Sequence, residues 1–327
     1  MKSQQVCTRF FYSNHKVMSI SVIPYSSIYD AEIQQLEKAT NQGMKIKLQI
    51  LKNHFLDRSL VFKKSFPCIA VDQQEKLIGT CIGAQTDLLV NGDSFDAGFA
   101  FDVKVHPLYR NKGVARMMAK YIYSNFFKAE GLQKNFTTLK RSNIPVLKLS
   151  AKAVGKIWLY DFVYLTIPTK IKIKAPIKDK STVKLSIKLF QQENLSSLYY
   201  TNFVDGLGCF HTHKLYQLKI EKLSWLYRQG LGMLKKVNFK YSFLPKENEI
   251  MLVATLYNHT AHNIESINNV LDYLDKKDIK YLLVCCRKKD SIYNYLKKYS
   301  INSYGYYILS DFLLSDKDEV GMDIRCL

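Results

Sequence analysis

Residues 103–116 read VKVHPLYRNKGVAR, and they join a strand to a long helix. The segment passes a proline turn and then Arg-x-x-Gly-x-Ala before a helix predicted over 114–130. The first N–H groups of a helix have no partner within it, and the helix dipole makes that end positive. Gly113 lets a ligand approach the backbone closely. Further positive charge comes from Arg110, Lys112 and Arg116. The pattern predicts an anion-binding loop suited to a pyrophosphate.

Strand and helix patterns alternate on both sides of this segment. Alternating or β-branched runs predict strands at 18–25, 68–72, 77–84, 87–90, 95–105, 136–140, 157–167, 183–189, 249–257, 279–286 and 304–309. Helical spacing predicts helices at 31–40, 45–60, 114–130, 144–154, 215–227, 264–276 and 291–299. This order indicates an α/β fold with a mixed central sheet flanked by helices.

The chain divides best at a short basic segment, KIKIKAPIKDK, in the predicted linker 169–180. An N-terminal domain would span 1–168 and a C-terminal α/β domain 181–327. Both halves end in strand, helix, strand, helix, strand, so two related domains in tandem are predicted. The second half lacks the loop, because NHTAHN at 258–263 contains no glycine and no arginine. It is therefore expected to be degenerate as a ligand-binding unit.

The segment Val105–Ala115 resembles the coenzyme A loop of the GNAT superfamily of acetyl-CoA-dependent N-acyltransferases, and the element order over 17–167 is similar. The superfamily usually has glycine where this chain has Ala115. The resemblance implies that backbone N–H groups from Arg110 to Ala115 bind the phosphates and that the backbone of Val103 and Val105 pairs with the pantetheine arm. The residues it assigns to acetyl-CoA binding are Val103, Val105, Arg110, Asn111, Lys112, Gly113, Val114, Ala115 and Asn143.

Transfer of an acyl group to an amine requires a base, a polarised thioester carbonyl and protonation of the leaving thiolate. Backbone N–H groups near Val103 are expected to hold the carbonyl oxygen. Asp102 is the candidate general base, acting directly or through water, and Asp96 lies on the same strand. Either residue could instead be a surface carboxylate on an alternating strand, with no catalytic role.

The sequence gives less support to any residue that could protonate the leaving thiolate. In the superfamily an Asn-x-x-Ala-x-x-Leu-Tyr segment often supplies a tyrosine to the leaving thiol. Here Asn143 and Leu149 match that segment, but Ser150 stands where the tyrosine is expected. A serine hydroxyl is a poor acid that can relay a proton through water. Tyr160 is a second candidate without motif support. No cysteine or serine lies in a nucleophile motif, so direct attack in a ternary complex is expected.

The composition leaves other functions open. There are 48 Lys+Arg against 28 Asp+Glu, a net charge of +20, which suits anionic partners. The alternatives are therefore a catalytically weak acyl-CoA-binding regulator and a basic module that binds nucleic acid. Residues 183–232 are also similar to the region after the GNAT domain in plant hookless-type acetyltransferase-like proteins.

Seven cysteines without a CxxC pair favour free thiols in a reducing, cytoplasmic setting. Neither a membrane span nor a metal site is expected, because no apolar run is long enough and the histidine spacing matches no zinc finger. The amine acceptor cannot be read from the sequence. A monomer and a homodimer both remain open.

Overall fold

The computed structural model describes residues 7–13, 16–40, 46–144, 146–147, 157–174, 185–191, 201–211, 215–237, 243–260 and 263–327. The strands are β1 (Cys7–Ser13), β2 (Lys16–Pro24), β3 (Ile46–Leu51), β4 (Lys64–Asp72), β5 (Leu77–Val90), β6 (Asp93–Val105), β7 (Lys134–Lys140), β8 (Trp158–Pro168), β9 (Ile187–Phe190), β10 (Thr201–Val204), β11 (Leu207–His211), β12 (Gln217–Leu223), β13 (Ile250–Met251), β14 (Val253–Tyr257), β15 (Tyr281–Cys286), β16 (Asn302–Ser310) and β17 (Val320–Asp323). The α-helices are α1 (Asp30–Ala39), α2 (Val114–Ile122), α3 (Trp225–Val237), α4 (Ile267–Lys276) and α5 (Ser291–Lys297).

One large mixed sheet dominates the described part of the chain. Its strands follow the order β1-β2-β4-β5-β6-β7-β16-β8-β15-β14-β11-β10, and β17 joins β5 to β9 at its side. A second sheet has the order β13-β12-β3. The predicted fold class, an α/β fold with a mixed central sheet flanked by helices, is confirmed. No helix of the described residues is both long and apolar enough to cross a membrane.

Each half of the chain contributes a parallel strand pair connected by a helix. In the first half β6 runs parallel to β7, and α2 lies between them in sequence. In the second half β14 runs parallel to β15, and α4 connects them. Parallel neighbours need such a crossover because a tight turn can only reverse the chain direction. The two units have the same element order, as the sequence pattern suggests.

The two halves exchange their last long strands at the centre of the sheet. Strand β16 comes from the second half but lies between β7 and β8, antiparallel to both. Strand β8 comes from the first half and pairs with β15 of the second. The sheet is therefore continuous across the predicted division at 169–180. That domain division stays a prediction, and residues 175–180 lie outside the described part of the chain.

The core lies on both faces of this sheet. Along β8 the buried side chains alternate, so that Phe162 and Tyr164 join one hydrophobic cluster while Val163 and Leu165 join another. Helices α4 and α5 cover the Val163 side, and α2 covers a third cluster over β2, β4 and β5. Six of the cysteines are free and buried: Cys68, Cys81, Cys209, Cys285, Cys286 and Cys326.

Two predicted helices are wrong. The predicted helix 45–60 contains strand β3 followed by a short 3-10 turn at Asp57–Val61, and the predicted helix 215–227 contains strand β12. These two segments pair with each other in antiparallel register. Their apolar residues alternate along the chain and gain burial from that pairing, which outweighs the weak local preference for helix. The hairpin of β10 and β11 and the strands β1 and β17 were not predicted.

The helix predicted over 114–130 is shorter and changes its winding. Helix α2 ends at Ile122, and a π-helical turn spans Tyr123–Phe127. The turn leaves both Phe126 and Phe127 buried against the sheet. Gly83 of β5 permits this packing, because a Cβ there would lie 2.5 Å from Ile122 Cγ2.

Candidate active site

Strands β6 and β7 lie side by side over a short stretch and then separate. Their pairs are Ala97 with Lys134, Gly98 with Asn135 and Phe99 with Phe136. Beyond that point β7 continues against β16, whereas β6 continues along β5 as far as Val105. Over this stretch the second edge of β6 carries no paired strand among the described residues. Val103 is 45% exposed there.

A bulge shapes the open part of β6. The register against β5 shifts between Thr80 and Ile82, and Asp102 has a φ of +50°. A bulge places two residues opposite one and breaks the regular alternation, so the strand twists and redirects its polar groups. The hydroxyl of Thr80 donates to the Asp102 carbonyl at 3.2 Å. The bulge therefore lies where the sequence predicts the acyl-transfer centre.

The loop after β6 has the backbone that its glycine predicts. A short turn at Pro107–Tyr109 leads to Asn111 and Gly113, whose φ values are +64° and +79°. Gly113 is the N-terminal cap of α2, so the first N–H groups of that helix face the loop. The Tyr109 hydroxyl donates to Asp72 Oδ2 at 2.6 Å and ties the loop to the end of β4. Burial, and then this bond, raise the pKa of Tyr109 to about 12.

Positive side chains surround the loop. Arg110 and Asn111 are exposed, and the Lys112 ammonium lies 4.8 Å from the centre of the Tyr109 ring. The Nε of Arg116 is buried without a hydrogen-bond partner among the described residues. Together with the helix dipole, these groups create a positive field at the end of β6.

Beside the bulge lies a buried network of five charged side chains: Glu37, Lys52, Arg58, Asp102 and Lys104. Lys52 Nζ lies 2.9 Å from both Glu37 Oε1 and Asp102 Oδ2. Arg58 Nη1 lies 2.7 Å from Asp102 Oδ1, and Lys104 Nζ lies 2.7 Å from Glu37 Oε1. The Lys52 side chain is fully buried, so this lysine is held as an ion only by the two carboxylates.

These contacts decide the protonation of Asp102. Burial alone would raise the pKa of this carboxyl, but Arg58, Lys52 and Lys104 outweigh that effect and hold the pKa well below its usual range. A carboxylate paired with two cations is a weak base, because accepting a proton would leave those cations uncompensated. The role of Asp102 as general base stays a prediction, and its contacts favour positioning the bulge.

The other predicted site residues lie at separate places. Tyr160 is fully buried on β8, where its hydroxyl lies within hydrogen-bond distance of the carbonyl oxygens of Ser186 and Asp318. Its ring centre lies 4.1 Å from the Arg287 guanidinium. Burial raises the pKa of Tyr160 above its ordinary value. Asn143 is exposed in the turn that follows β7. Ser150 lies outside the described residues.

Sequence reasoning missed four of the five members of the charge network: Glu37, Lys52, Arg58 and Lys104. Lys52 and Arg58 fall in the segment predicted as the helix 45–60, which would have made them surface residues. The spacing in the chain carries no signal for this cluster, because its members come from four separate elements. No group of three or more metal-ligating side chains occurs among the described residues.

The comparisons with known proteins agree with this geometry. Residues 25–133 match the family model described as acetyltransferase (GNAT) domain. N-myristoyltransferase of Saccharomyces cerevisiae, solved with bound myristoyl-CoA, superposes with a TM-score of 0.53 at 9% identity, covering 91% of this chain and 84% of that one. A glucosamine N-acetyltransferase region within a fungal multi-domain β-N-acetylglucosaminidase gives a TM-score of 0.50 at 10% identity, covering 89% of this chain and 38% of that one. A search of curated proteins found no match.

The α/β sheet, with the open edge of β6 and the glycine loop, has the fold of the two solved structures to which the chain is similar. Residues 25–133, about a third of the chain, carry the match to the GNAT acetyltransferase domain. The matched segment ends just before β7 and includes the bulge, the loop and α2. These findings support an acyltransferase.

Proposed function

We propose that this protein transfers an acyl group, acetyl in the first instance, from acyl-CoA to an amine. One observation carries the proposal. Strand β6 leaves its neighbour β7 after Phe99 and runs, with an open edge, directly into a glycine loop and the N-terminus of α2. An open strand edge pairs with an extended amide-bearing chain, and a helix N-terminus binds phosphates. Coenzyme A combines an extended arm that contains amides with a pyrophosphate group in one molecule.

The residues of the loop divide the recognition of acyl-CoA between them. The backbone N–H groups from Arg110 to Ala115 would bind the pyrophosphate. The backbone of Val103 and Val105 would bind the amides of the pantetheine arm. A backbone N–H at the bulge would then hold the thioester oxygen, where negative charge develops during attack by the amine.

Direct attack in a ternary complex needs a neutral amine and a protonated leaving thiolate. Because Asp102 is tied to Lys52 and Arg58, we propose that water carries the amine proton away from the bulge. The Tyr160 hydroxyl already donates within the core, which makes it a weak proton source for the thiol. The roles of Asp102, Ser150 and Tyr160 in proton transfer stay predictions.

The remaining assignments belong to the same proposal. We place the protein in the cytoplasm, in keeping with its buried free thiols. The two halves share one sheet through β8 and β16 and act as one unit. A monomer or a homodimer is compatible with that arrangement. Similarity to plant hookless-type proteins stays a prediction.

The test is acetyl-CoA binding by calorimetry on the wild type and on Gly113→Glu. A glutamate at residue 113 fills the phosphate site and adds negative charge, so binding is expected to be lost. The matched control is Gly131→Glu, because Gly131 also has a positive φ, +72°, and has open space around its Cβ position. Equal loss in both variants, or no binding by the wild type, would overturn the proposal.

A second measurement separates the enzyme from a binding protein. Release of free coenzyme A thiol is followed in the presence of a panel of amines. Turnover that is lost in Gly113→Glu supports acyl transfer. Tight binding with no turnover for any amine favours the catalytically weak regulator instead.

A further inference from the structure

A cavity away from the candidate active site lies at the centre of the large sheet, beside the ends of β7 and β15. It has a volume of about 480 Å³. Val163 of β8 is one of its lining residues and pairs with Gly305 of β16 on one side and with Cys286 of β15 on the other. The lining residues that bear on its chemistry are Lys140, Arg141, Ser142, Lys288, Ser303 and Tyr304. The cavity therefore belongs to the junction of the two halves.

Arg141 is built into one wall of this cavity. Its side chain lies across Gly305, where a Cβ would come within 2.7 Å of Arg141 Cδ. Its guanidinium pairs with Asp161, which also accepts from Arg287 Nη2 at 2.6 Å. The Nε of Arg141 is buried without a hydrogen-bond partner among the described residues. Asp161 thus accepts from both arginines, and Arg287 also pairs with Asp316 Oδ1 at 2.6 Å, so the two carboxylates balance the two arginines.

Two lysines give the cavity its uncompensated positive charge. Within the part of the chain that the structure describes, neither Lys140 nor Lys288 forms an ion pair. Lys288 is exposed at the rim, and Lys140 is partly buried with its ammonium 6.0 Å from the centre of the Tyr304 ring. Burial lowers the pKa of Lys140, because no anion compensates its charge.

We propose that this cavity binds the phosphate group of an organic phosphate monoester. Three cationic side chains converge on it, and the only carboxylate that reaches one of them among the described residues is already shared. A phosphate dianion has enough charge and acceptor oxygens for two lysines and an arginine, and serine hydroxyls at 142 and 303 add donors. The cavity exceeds the size of a phosphate ion, which leaves room for the organic part of the ligand beside Tyr304.

The first test titrates inorganic phosphate into the wild type and into the double variant Lys140→Gln, Lys288→Gln by calorimetry. Loss of each charge-assisted bond is expected to weaken binding roughly tenfold. The control is Lys128→Gln, Lys277→Gln, which removes the same net charge from two exposed lysines outside the cavity. Wild-type binding that only the cavity variant weakens supports the site. No binding at roughly 10 mM phosphate, or equal weakening in both variants, would overturn it.

The source of the phosphate is decided by comparing coenzyme A with dephospho-coenzyme A, which lacks the 3′-phosphate. If the site takes that phosphate, the wild type prefers coenzyme A and the cavity variant loses the preference. If both bind equally while inorganic phosphate still binds, the phosphate belongs to another molecule, such as the acceptor. This arm alone depends on the proposed function. Gly113→Glu should bind inorganic phosphate normally, so failure of the two proposals is distinguishable.

Discussion

Arg58 Nη1 and Asp102 Oδ1 lie 2.7 Å apart, although the two residues are 44 positions apart in the chain. The guanidinium also lies 5.0 Å from the centre of the Phe101 ring and 5.3 Å from that of Tyr216. A residue that follows β3 thereby holds the bulge of β6 at the point where that strand has left β7. Because Lys52 secures the other carboxylate oxygen, the bulge is fixed from both sides.

We expect Asp102→Asn to destabilise the protein strongly. The substitution leaves the buried Lys52 and the largely buried Arg58 without their shared anion, a loss that costs about 3–5 kcal/mol. The measurement is the free energy of unfolding in urea. The exposed Asp96 on the same strand serves as control, and Asp96→Asn should change stability by less than about 0.5 kcal/mol. Equal effects would show that the network contributes nothing.

The same pair predicts a dependence on acid. A carboxyl whose pKa is lowered in the folded state stabilises the folded protein at pH values above its unfolded pKa of about 3.9. That contribution is lost as the pH falls toward the pKa of the folded state. We therefore expect the difference in unfolding free energy between wild type and Asp102→Asn to be constant from pH 7 to about pH 5 and to shrink below about pH 4. A difference that shrinks already near neutral pH would contradict this assignment.

His259 is expected to make the protein sensitive to mild acid. Its side chain is 3% exposed, neither ring nitrogen has a partner among the described residues, and burial lowers its pKa to about 4. Below the unfolded pKa of about 6.5, only the unfolded chain takes up this proton, so stability falls between about pH 6.5 and pH 4, by roughly 3 kcal/mol at most. Urea unfolding across this range should show the fall in wild type and a smaller fall in His259→Phe. The control His54→Phe, at an exposed histidine, should leave the dependence of the unfolding free energy on pH as it is in the wild type.

Gly83→Ala is expected to disturb the contact between β5 and the end of α2. The new methyl group would lie 2.5 Å from Ile122 Cγ2 and 3.2 Å from Phe126 Cδ1, so it is overpacked and should cost about 1–3 kcal/mol. Gly230 in α3 has open space at its Cβ position, and Gly230→Ala should stabilise by about 0.5–1 kcal/mol through helix propensity. Thermal unfolding of both variants checks the opposite signs.

Tyr109→Phe tests whether the loop needs its tie to β4. The variant loses the 2.6 Å bond to Asp72 but keeps the ring against which Lys112 lies. Loss of one charge-assisted bond should loosen the loop and weaken acetyl-CoA binding by roughly tenfold. Calorimetry compares it with Tyr123→Phe, since Tyr123 is 50% exposed in the π-helical turn. Unchanged affinity in Tyr109→Phe would mean that the loop holds its shape without this bond.

Local chemistry explains which parts of the fold were predictable. The segment 103–116 predicted a strand, a glycine-containing loop and a helix start, and the structure has all three. The strands around it alternate or are β-branched, and they were found with small shifts at their ends. Helix propensity and alternation compete closely in 45–60 and 215–227, where partner strands decided the outcome.

The candidate site was predictable only in part for the same reason. The glycine loop depends on backbone conformation and on the dipole of one helix, which neighbouring residues determine. The ion pairs of Asp102 come from Lys52 and Arg58 in the segment after β3, and Glu37 of α1 in turn pairs with Lys52. No spacing in the chain predicts these contacts. The surroundings of Tyr160 were not predictable either, because the carbonyl groups near its hydroxyl belong to residues 26 and 158 positions away in the chain.

The amino-acid sequence by itself determined most of the strands and the glycine loop before α2, because φ preferences, alternation and helix ends are properties of short segments. Only the tertiary structure decided that β8 and β16 change places between the halves, that Asp102 is clamped by Lys52 and Arg58, and that Lys140, Arg141 and Lys288 share one cavity. These features depend on which distant groups meet in a medium of low polarity. There a charge must find its counterion, or remain available to a ligand that carries one.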